Sequence, residues 1–242
     1  MLFARAAGGD CQAEPLLGGT AVFGGVGSPM THALGIGMQG PVSAAELDGL
    51  EEFFRSRASA CLIDLCPLAD GNLQRMIMER GYRIIEFNNV MARRLMPEDG
   101  GFAAPPSVEL REARTDEQEQ WTRLILRGFM ETEALPGEMI EMMKPTMLVG
   151  RCLMASIDGR PLAGAAVGFQ LRTAMFYGDA TLAEARGLGL QSALIRYRMA
   201  LGARLGCDLA MACVVPGTIS NRNYERAGFQ LVYMRVNVKR DW

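Results

Sequence analysis

A short glycine-rich segment is the part of this sequence best suited to hold an anion. It stands between an apolar strand pattern and a helical pattern and reads Arg186, Gly187, Leu188, Gly189, Leu190, Gln191, Ser192. A helix start exposes unpaired backbone N–H groups and the positive end of the helix dipole, and glycines let a phosphate approach closely. The same residues can equally form a tight turn in which glycine only supplies positive φ angles. The segment alone leaves both interpretations open.

The glycine spacing also approaches the G-x-G-x-x-G pattern of a dinucleotide-binding loop. That loop needs an acidic residue at the end of the next strand, about 20 residues on, to hold a ribose hydroxyl. Here Asp208 precedes the next predicted strand, and the far end of that strand, residues 214–217, carries no acid. A hairpin predicted upstream also argues against a doubly wound parallel sheet. The dinucleotide fold is therefore disfavoured.

The charges around this segment suit an anion. Arg186 would supply a fixed positive charge at the turn, and the predicted helix after it carries Arg196, Arg198 and Arg204 with no acidic residue before Asp208. Such a local field attracts a phosphate group, although the net charge of the whole chain is -2.

A corresponding helix start in the first half of the chain serves as an internal comparison. There Ser43 and Glu46 form a capping box, Pro41 has no N–H, and no arginine precedes the turn. The same predicted helix continues with three more acidic residues, namely Asp48, Glu51 and Glu52. These charges would repel a phosphate. The contrast indicates one anion site per chain, in the second half.

The elements predicted for the second half place the glycine-rich segment between a strand and a helix. Residues 107–113 alternate like a strand, Thr115 and Gln118 form a capping box for a helix to about Phe129, and Pro136 opens a shorter helix that Pro145 ends. The later elements are predicted as a hairpin of strands 151–157 and 162–169 joined through Asp158 and Gly159, a strand at 174–182, a helix at 190–205, a strand at 208–215, a helix at 218–228 and a strand at 229–238.

The first half follows a similar order. Strands are predicted at 20–25 and 32–38, then a helix at 43–57, a strand at 60–66, a helix at 70–81 and a strand at 82–93. The segments MERGYRIIEFNNV and YERAGFQLVYMRV match locally around Gly81 and Gly228. This pattern indicates two copies of one fold, the first shortened at its start. A chance similarity of two helix-to-strand corners is the alternative.

The length of 242 residues suits two domains of about 120 residues each. Residues 97–107 contain three prolines and two glycines and therefore form a connector. We expect a first domain at 1–96, a linker at 97–106 and a second domain at 107–242.

The composition indicates a globular chain with a sizeable core. Hydrophobic residues make up 49% and charged residues 21%, without the basic excess that nucleic-acid binding requires. No stretch approaches the roughly 20 apolar residues of a membrane span, and Arg5 interrupts the N-terminal apolar run too early for a signal-peptide core. We therefore expect a cytoplasmic protein without a membrane or nucleic-acid partner.

Metal-binding patterns are weak. The six cysteines form no CxxC pair, and the single histidine, His32, lies far from most of them, so we expect reduced thiols and no metal site. For His32 a structural role is favoured over catalysis. Cys207 and Cys213 flank the predicted strand 208–215, and burial in the core is the default expectation for both.

The second half resembles the GNAT superfamily of acyl-CoA N-acyltransferases. The family signature Arg/Gln-x-x-Gly-x-Gly/Ala is matched by Arg186 and Gly189, but Gln191 stands where the family usually has Gly or Ala. A second signature, Tyr-x-x-x-Gly-Phe, is matched by Tyr224, Gly228 and the phenylalanine that follows. With the element order, the resemblance covers about residues 107–242. The first half resembles a degenerate copy without the phosphate loop. The resemblance to this superfamily implies an α+β fold with two tandem domains, each a mixed, mostly antiparallel sheet flanked by helices.

The resemblance implies transfer of an acyl group, most often acetyl, from a CoA thioester to an amine, without a metal. The CoA pyrophosphate would bind the turn from Arg186 to Ser192, and Ser220 and Asn223 would support CoA and cap their helix. The strand end Ala180, Thr181 and Leu182 would pair with the pantetheine arm, between two strands that splay apart in this fold.

The resemblance places the general acid at Tyr224, which would protonate the departing thiolate; a core tyrosine is the alternative. Asp179 is a candidate for the base that accepts the amine proton, either directly or through water, although strand alternation could equally point it outward. Glu133 is a weaker candidate, and solvent without a dedicated base is a further option.

The leading function hypothesis is an acetyl-CoA-dependent N-acetyltransferase acting on a small-molecule or peptide amine. The alternative is an acyl-CoA-binding regulatory module with little or no catalysis. The sequence leaves the acceptor and the oligomeric state open, a homodimer included.

Overall fold

The computed structural model describes residues 11–145 and 149–242. Residues 1–10, for which the sequence predicts no signal-peptide core, and residues 146–148 lie outside this description. The strands of the described chain are β1 (Gln12–Leu16), β2 (Gly19–Phe23), β3 (His32–Leu34), β4 (Cys61–Leu65), β5 (Arg83–Arg94), β6 (Glu109–Glu112), β7 (Arg151–Ile157), β8 (Arg160–Gln170), β9 (Thr173–Thr181), β10 (Leu209–Val214) and β11 (Gln230–Arg240). Its α-helices are α1 (Ala44–Arg55), α2 (Gly71–Glu79), α3 (Gln118–Met130), α4 (Gly137–Met143), α5 (Leu190–Arg204) and α6 (Ile219–Arg226).

The chain divides into two compact units. The first unit comprises Met1–Asn89 together with Tyr233–Trp242, and the second comprises Val90–Val232. The C-terminal ten residues therefore group with the first unit rather than with the second domain expected from the sequence. The reason is strand pairing, because Val236 to Arg240 of β11 lie antiparallel to Leu65 to Cys61 of β4.

The first unit contains a mixed sheet in the order β1-β2-β3-β4, continued by the C-terminal part of β11. All of these neighbours are antiparallel except β3 and β4. Strand β1 was not predicted; Leu17 and Gly18 join it to β2 with φ angles of 50° and 74°, as a two-residue hairpin turn requires. Leu47, Leu50 and Phe54 of α1 are fully buried in the core of this unit.

The second unit carries the sheet β10-β9-β8-β7-β6, antiparallel except for the parallel pair β9 and β10. Helices α3 and α5 both pack against β8 and β9. The predicted hairpin turn between β7 and β8 is confirmed, since Asp158 and Gly159 have φ angles of 51° and 72°. Where α3 packs, Gly164 leaves room for Ile125, because a Cβ at Gly164 would lie 2.8 Å from the Ile125 side chain.

The predicted capping box of Thr115 and Gln118 is wrong. The Glu117 carboxylate accepts a hydrogen bond from the Arg114 backbone N–H (2.8 Å) and two from the Arg111 guanidinium (2.7 and 2.8 Å). Residues Thr115–Glu117 form a 3-10 turn before α3, and the Gln118 amide reaches the Lys144 carbonyl instead (2.8 Å). Arg111 and Arg114, six and three residues before Glu117, therefore hold this helix start in place of the predicted Thr115 and Gln118 pair.

Candidate active site

The glycine-rich segment forms the turn between β9 and α5. A 3-10 turn at Ala183–Ala185 leads to Arg186 in an extended conformation, and Gly187 and Gly189 follow with φ angles of 82° and 79°. Space is open where a Cβ would stand at either glycine. Gly189 is the N-cap residue of α5 and no side chain caps this helix start. Glycine is therefore needed for the turn, and it also leaves the backbone uncovered.

The first backbone N–H groups of α5 are free to bind a ligand. The first intrahelical bond runs from the Ala193 N–H to the Gly189 carbonyl (3.0 Å), so the N–H groups of Leu190, Gln191 and Ser192 have no hydrogen-bond partner among the described residues. The Leu188 N–H makes only a long bond of 3.4 Å to the Ala185 carbonyl. This helix start can hold an anion by its backbone alone.

The comparison helix α1 is closed at the same point. The Ser43 hydroxyl accepts the Glu46 N–H (3.2 Å), and the Glu46 carboxylate accepts the Ser43 N–H (2.7 Å). These bonds lower the pKa of the Glu46 carboxyl, the backbone bond being the largest cause. The first unit therefore uses its own side chains where the second leaves the helix start open.

The arginines expected to face an anion are placed differently. Arg186 pairs with Glu131 (2.7 Å) and is about half exposed. Arg204 donates to the Gly100 carbonyl (2.7 Å), and Arg198 is completely buried. Arg196 is exposed and has no partner among the described residues. Most of the arginines that were predicted to attract an anion are therefore already paired within the protein or buried. The capacity of the turn to bind an anion depends on its backbone N–H groups.

Strands β9 and β10 separate next to this turn. Their pairing runs from Thr173 with Leu209 to Phe176 with Ala212, while β9 continues to Thr181 and β10 to Val214. Ala180 and Thr181 pair with β8 on their other side. The edge of β9 that faces the gap is therefore free of a strand partner, as an added extended ligand requires.

A β-bulge contains Asp179, which lies on the part of β9 beyond its pairing with β10. Gly164 pairs with Ala180 and Ala166 pairs with Tyr177, so that Ala165 of β8 faces two residues of β9, Gly178 and Asp179. Gly178 has a φ angle of 66°. The bulge interrupts the alternation that left the direction of Asp179 open in the sequence.

Asp179, Tyr224 and Arg198 form one hydrogen-bonded network. The Tyr224 hydroxyl donates to Asp179 Oδ2 (2.9 Å), and Arg198 donates from Nη1 to the same oxygen (3.0 Å) and from Nη2 to Oδ1. Arg198 Nη2 also donates to the Tyr224 oxygen (3.2 Å). Burial raises the pKa of the Tyr224 phenol well above its ordinary value, and this effect exceeds the opposing influence of Arg198. The two predicted catalytic side chains are thus in direct contact, and Tyr224 is 1% exposed.

Gln191 links α5 to α6. Its side-chain amide donates to the Ser220 hydroxyl (2.8 Å) and accepts from the Asn223 amide (2.8 Å). The predicted cap by Ser220 is wrong, because the Thr218 hydroxyl accepts the Asn221 N–H (3.2 Å) and is the N-cap of α6. The side chains of Ser220 and Asn223 both contact Gln191.

A second candidate region lies beside the end of β9. Leu182 and Glu184 line a cleft of about 450 Å³ together with Arg127, Glu133 and Arg160. Glu133 is largely exposed and pairs with Arg127. The Leu182 N–H donates to the Leu162 carbonyl (2.9 Å), so its backbone continues the β8 pairing.

The remaining candidates are explained by local contacts. His32 Nδ1 lies 3.2 Å from Asp64 Oδ1 in the first unit. Cys207 is half-buried and burial raises the pKa of its thiol, whereas Cys213 is exposed, contrary to the core position expected from the sequence.

Among residues 11–145 and 149–242, no cluster of three or more His, Cys, Asp or Glu could hold a metal ion, and no helix of that part is long and apolar enough to cross a membrane.

Several solved structures share this fold. A GCN5-related N-acetyltransferase from Kribbella flavida has a TM-score of 0.71 at 18% sequence identity, over 97% of this chain and 91% of that chain. A GCN5-related N-acetyltransferase from Sphaerobacter thermophilus gives 0.60 at 16% identity, over 81% and 66%. A tandem GNAT protein from the clavulanic acid biosynthesis pathway gives 0.59 at 14% identity, over 81% and 68%. No protein-family model and no curated protein matches the sequence.

The chain therefore has the α+β fold of the GNAT superfamily. The resemblance inferred from Arg186, Gly189 and Tyr224, and the predicted fold class with it, are confirmed at the level of the fold. At these identities the likeness defines architecture, and the reaction has to be argued from the site.

Proposed function

We propose that this protein is an acyl-CoA-dependent N-acyltransferase that moves an acetyl group from acetyl-CoA to a primary amine of a small molecule or peptide. One observation carries the proposal: the uncapped start of α5 opens beside the gap between β9 and β10. A diphosphate fits the free N–H groups of Leu190, Gln191 and Ser192, beside the weakly bonded N–H of Leu188. The pantetheine arm, which is extended and carries amides, fits the free edge of Ala180 and Thr181.

In the proposed reaction the neutral amine nitrogen attacks the thioester carbonyl. A C–N bond forms, the C–S bond breaks, the nitrogen loses one proton and the sulfur gains one. We assign the proton on sulfur to Tyr224, whose phenol is protonated over the whole physiological range because burial raises its pKa. We assign the proton lost by nitrogen to Asp179, which is 12% exposed at its side chain. Glu133 remains the weaker candidate for this second role.

The second candidate function is an acyl-CoA-binding module with little or no catalysis. One observation favours it, because the Tyr224 hydroxyl is enclosed between Asp179 and Arg198 and all its hydrogen bonds are made within the protein. Under this alternative the tyrosine is a core residue that packs edge-on against Phe229, at 5.0 Å between ring centroids.

Binding is tested first, because both functions require it. Acetyl-CoA at saturating concentration should raise the thermal unfolding midpoint, since a ligand that binds only the folded state stabilises it. An unchanged midpoint, together with no heat of binding in calorimetry, would contradict both candidates.

Turnover separates the two functions. We expect release of free CoA with at least one member of a panel of primary amines, and a decrease in kcat of about 100-fold or more for Tyr224→Phe, as for the loss of a general acid. Tyr197→Phe, a half-buried tyrosine of α5, is the matched control and should retain activity. Binding of acetyl-CoA without turnover on any amine would favour the module.

The proposal includes a cytoplasmic location, which agrees with the unpaired thiols of Cys61, Cys66, Cys152 and Cys207. No metal is required by the reaction as written.

A further inference from the structure

Arg198 is the one arginine of the described chain that is 0% exposed. It lies in the third turn of α5 and extends to three other elements. Its Nη1 donates to the Ala166 carbonyl of β8 (3.1 Å) and to Asp179 of β9 (3.0 Å), and its Nη2 donates to Tyr224 of α6 (3.2 Å). Its Nε returns to the Leu194 carbonyl of α5 (3.2 Å). Its guanidinium carbon lies 4.4 Å from the centre of the Phe176 ring.

Burial of a guanidinium is costly unless every donor is used and a counter-charge is present. Here the donors end on carbonyls, a phenol and a carboxylate, and the Asp179 charge compensates the arginine. A packing role alone would be served equally well by an apolar side chain, since replacing a buried ion pair by hydrophobic residues is often neutral or stabilising. The pair of Arg198 and Asp179 lies beside the gap between β9 and β10. We therefore look for its role in the reaction rather than in packing.

The guanidinium contacts both oxygens between which a proton can move. Before transfer the negative charge is on Asp179 and the proton on Tyr224; after transfer from Tyr224 to sulfur the charge is on the phenolate. In both states Arg198 lies within 3.2 Å of the charged oxygen through Nη1 or Nη2. A phenolate next to an ionised Asp179 would be repelled, so the proton that Asp179 takes from the amine has to lie between the two oxygens, which are 2.9 Å apart.

We propose that Arg198 is the positioning residue of the acyl transfer: it fixes Asp179 and Tyr224 as one proton-transfer unit and remains the counter-charge for whichever of them is ionised. This inference rests on the proposed function. The proton balance is closed, since one proton passes from the amine nitrogen to Asp179, one from Tyr224 to the thiolate, and the proton on Asp179 then restores Tyr224. The unit returns to its starting charge without a further reactant.

The test compares Arg198→Met and Arg198→Lys with Arg196→Met, an exposed arginine two residues earlier on the same helix. For each variant we measure the unfolding midpoint, the KM for acetyl-CoA and the kcat with the amine that serves the wild-type protein best. Arg198→Lys keeps the charge but not the two-sided fork, and should lower kcat about 10-fold while KM for acetyl-CoA changes less than threefold. Arg196→Met should leave all three values unchanged.

The kcat per folded molecule separates positioning from packing. Without the guanidinium that holds Asp179 and Tyr224 together, kcat corrected for the folded fraction should fall about 100-fold in Arg198→Met and about 10-fold in Arg198→Lys, as for misplaced reacting groups, while the KM for acetyl-CoA stays within threefold of the wild-type value. A packing role would lower kcat only through the folded fraction, and the corrected kcat of both variants would equal that of the wild-type protein. If Arg198→Met does not fold, the kcat of Arg198→Lys decides: wild-type kcat in that variant overturns the proposal.

Failure of the proposed function has a different signature. If the wild-type protein binds acetyl-CoA but releases no CoA with any amine, the acyltransferase proposal fails. If the wild-type protein turns over and Arg198→Lys keeps its kcat, only the role of Arg198 fails.

Discussion

Gln191 joins the first turn of α5 to α6 through its hydrogen bonds with Ser220 and Asn223. Gln191 stands where the GNAT signature that this segment resembles usually has Gly or Ala. In this chain the side chain is engaged with α6, and its own backbone N–H has no partner among the described residues. We infer that the backbone group, rather than the side chain, serves the ligand.

Two substitutions at this residue separate those contributions. Gln191→Ala removes the side chain alone, whereas Gln191→Pro also removes the N–H, and proline is tolerated in the first turn of a helix. We expect calorimetry with CoA to show less than a threefold change for Gln191→Ala and about a tenfold or greater loss for Gln191→Pro, as for a hydrogen bond to a charged group. Equal affinities of the two variants would contradict a ligand role for this N–H.

Single residues differed in how well their sequence context predicted them. The positive φ angle of Gly189 and the end of the helix that carries Tyr224 could be predicted, because each belongs to a short local pattern. The sequence places Arg198 in the positive field that suits an anion and does not indicate its burial. Its partners Asp179 and Tyr224 are distant in sequence and contact it only through tertiary packing. The bulge at Gly178, which directs Asp179, likewise depends on pairing with β8.

At the scale of the element, the two ends of α5 are bounded by glycines of nearly equal conformation. Gly189 has a φ angle of 79° at the start of the helix and Gly206 has 74° just beyond its end, and space is open at both. A side chain at either residue adds similar backbone strain. Only Gly189 stands where the free N–H groups converge, so the two glycines form a matched pair.

Gly189→Glu should abolish CoA binding, because its carboxylate would occupy and repel the anion at the helix start. Gly206→Glu should lower the unfolding midpoint by a similar amount, but its affinity for CoA should equal that of the wild-type protein. The measurement is calorimetric titration with CoA beside the unfolding midpoint of each variant. Unchanged affinity in Gly189→Glu, or equal loss in both, would show that the assigned turn does not hold the ligand.

Helices and strands could be predicted where short sequence patterns determine their ends. They were missed where a contact with a distant part of the chain determines the structure. Helix α5, the hairpin of β7 and β8 and the capped start of α1 follow from glycine, Asp-Gly and Ser-x-x-Glu patterns. Strand β1 was missed because QAEPL has little apolar alternation and is stabilised by pairing with β2. The start of α3 was assigned to the wrong cap because Arg111 fixes Glu117.

At the scale of the whole molecule, the two helix-to-strand corners that suggested a repeat share their backbone conformation. Gly81 and Gly228 end α2 and α6 with φ angles of 74° and 86°, and a long strand follows each. Sequence order alone assigned the final strand to the second domain. Pairing of β11 with β4 could not be deduced, because alternation in a strand does not specify its neighbour.

The last strand provides the test of this arrangement. Val238 of β11 is 4% exposed and belongs to the core of the first unit, whereas Val232 is exposed on the same strand. Arg240 also pairs with the buried Glu51 of α1 (2.7 Å). A charge at Val238 would lie inside that core without a partner. A substitution at Val238 should therefore destabilise β4 and α1, although both lie more than 150 residues earlier in the chain.

We expect Val238→Asp to increase hydrogen exchange in peptides from β4 and α1, while peptides from β7 and β8 keep their protection. Val232→Asp, with the same change of charge on the exposed part of the strand, should leave both regions as in the wild-type protein. Exchange measured by mass spectrometry on the intact chain resolves these peptides. If Val238→Asp instead loosened β7 and β8 and left β4 protected, the C-terminal residues would belong to the second unit, as the sequence order suggested.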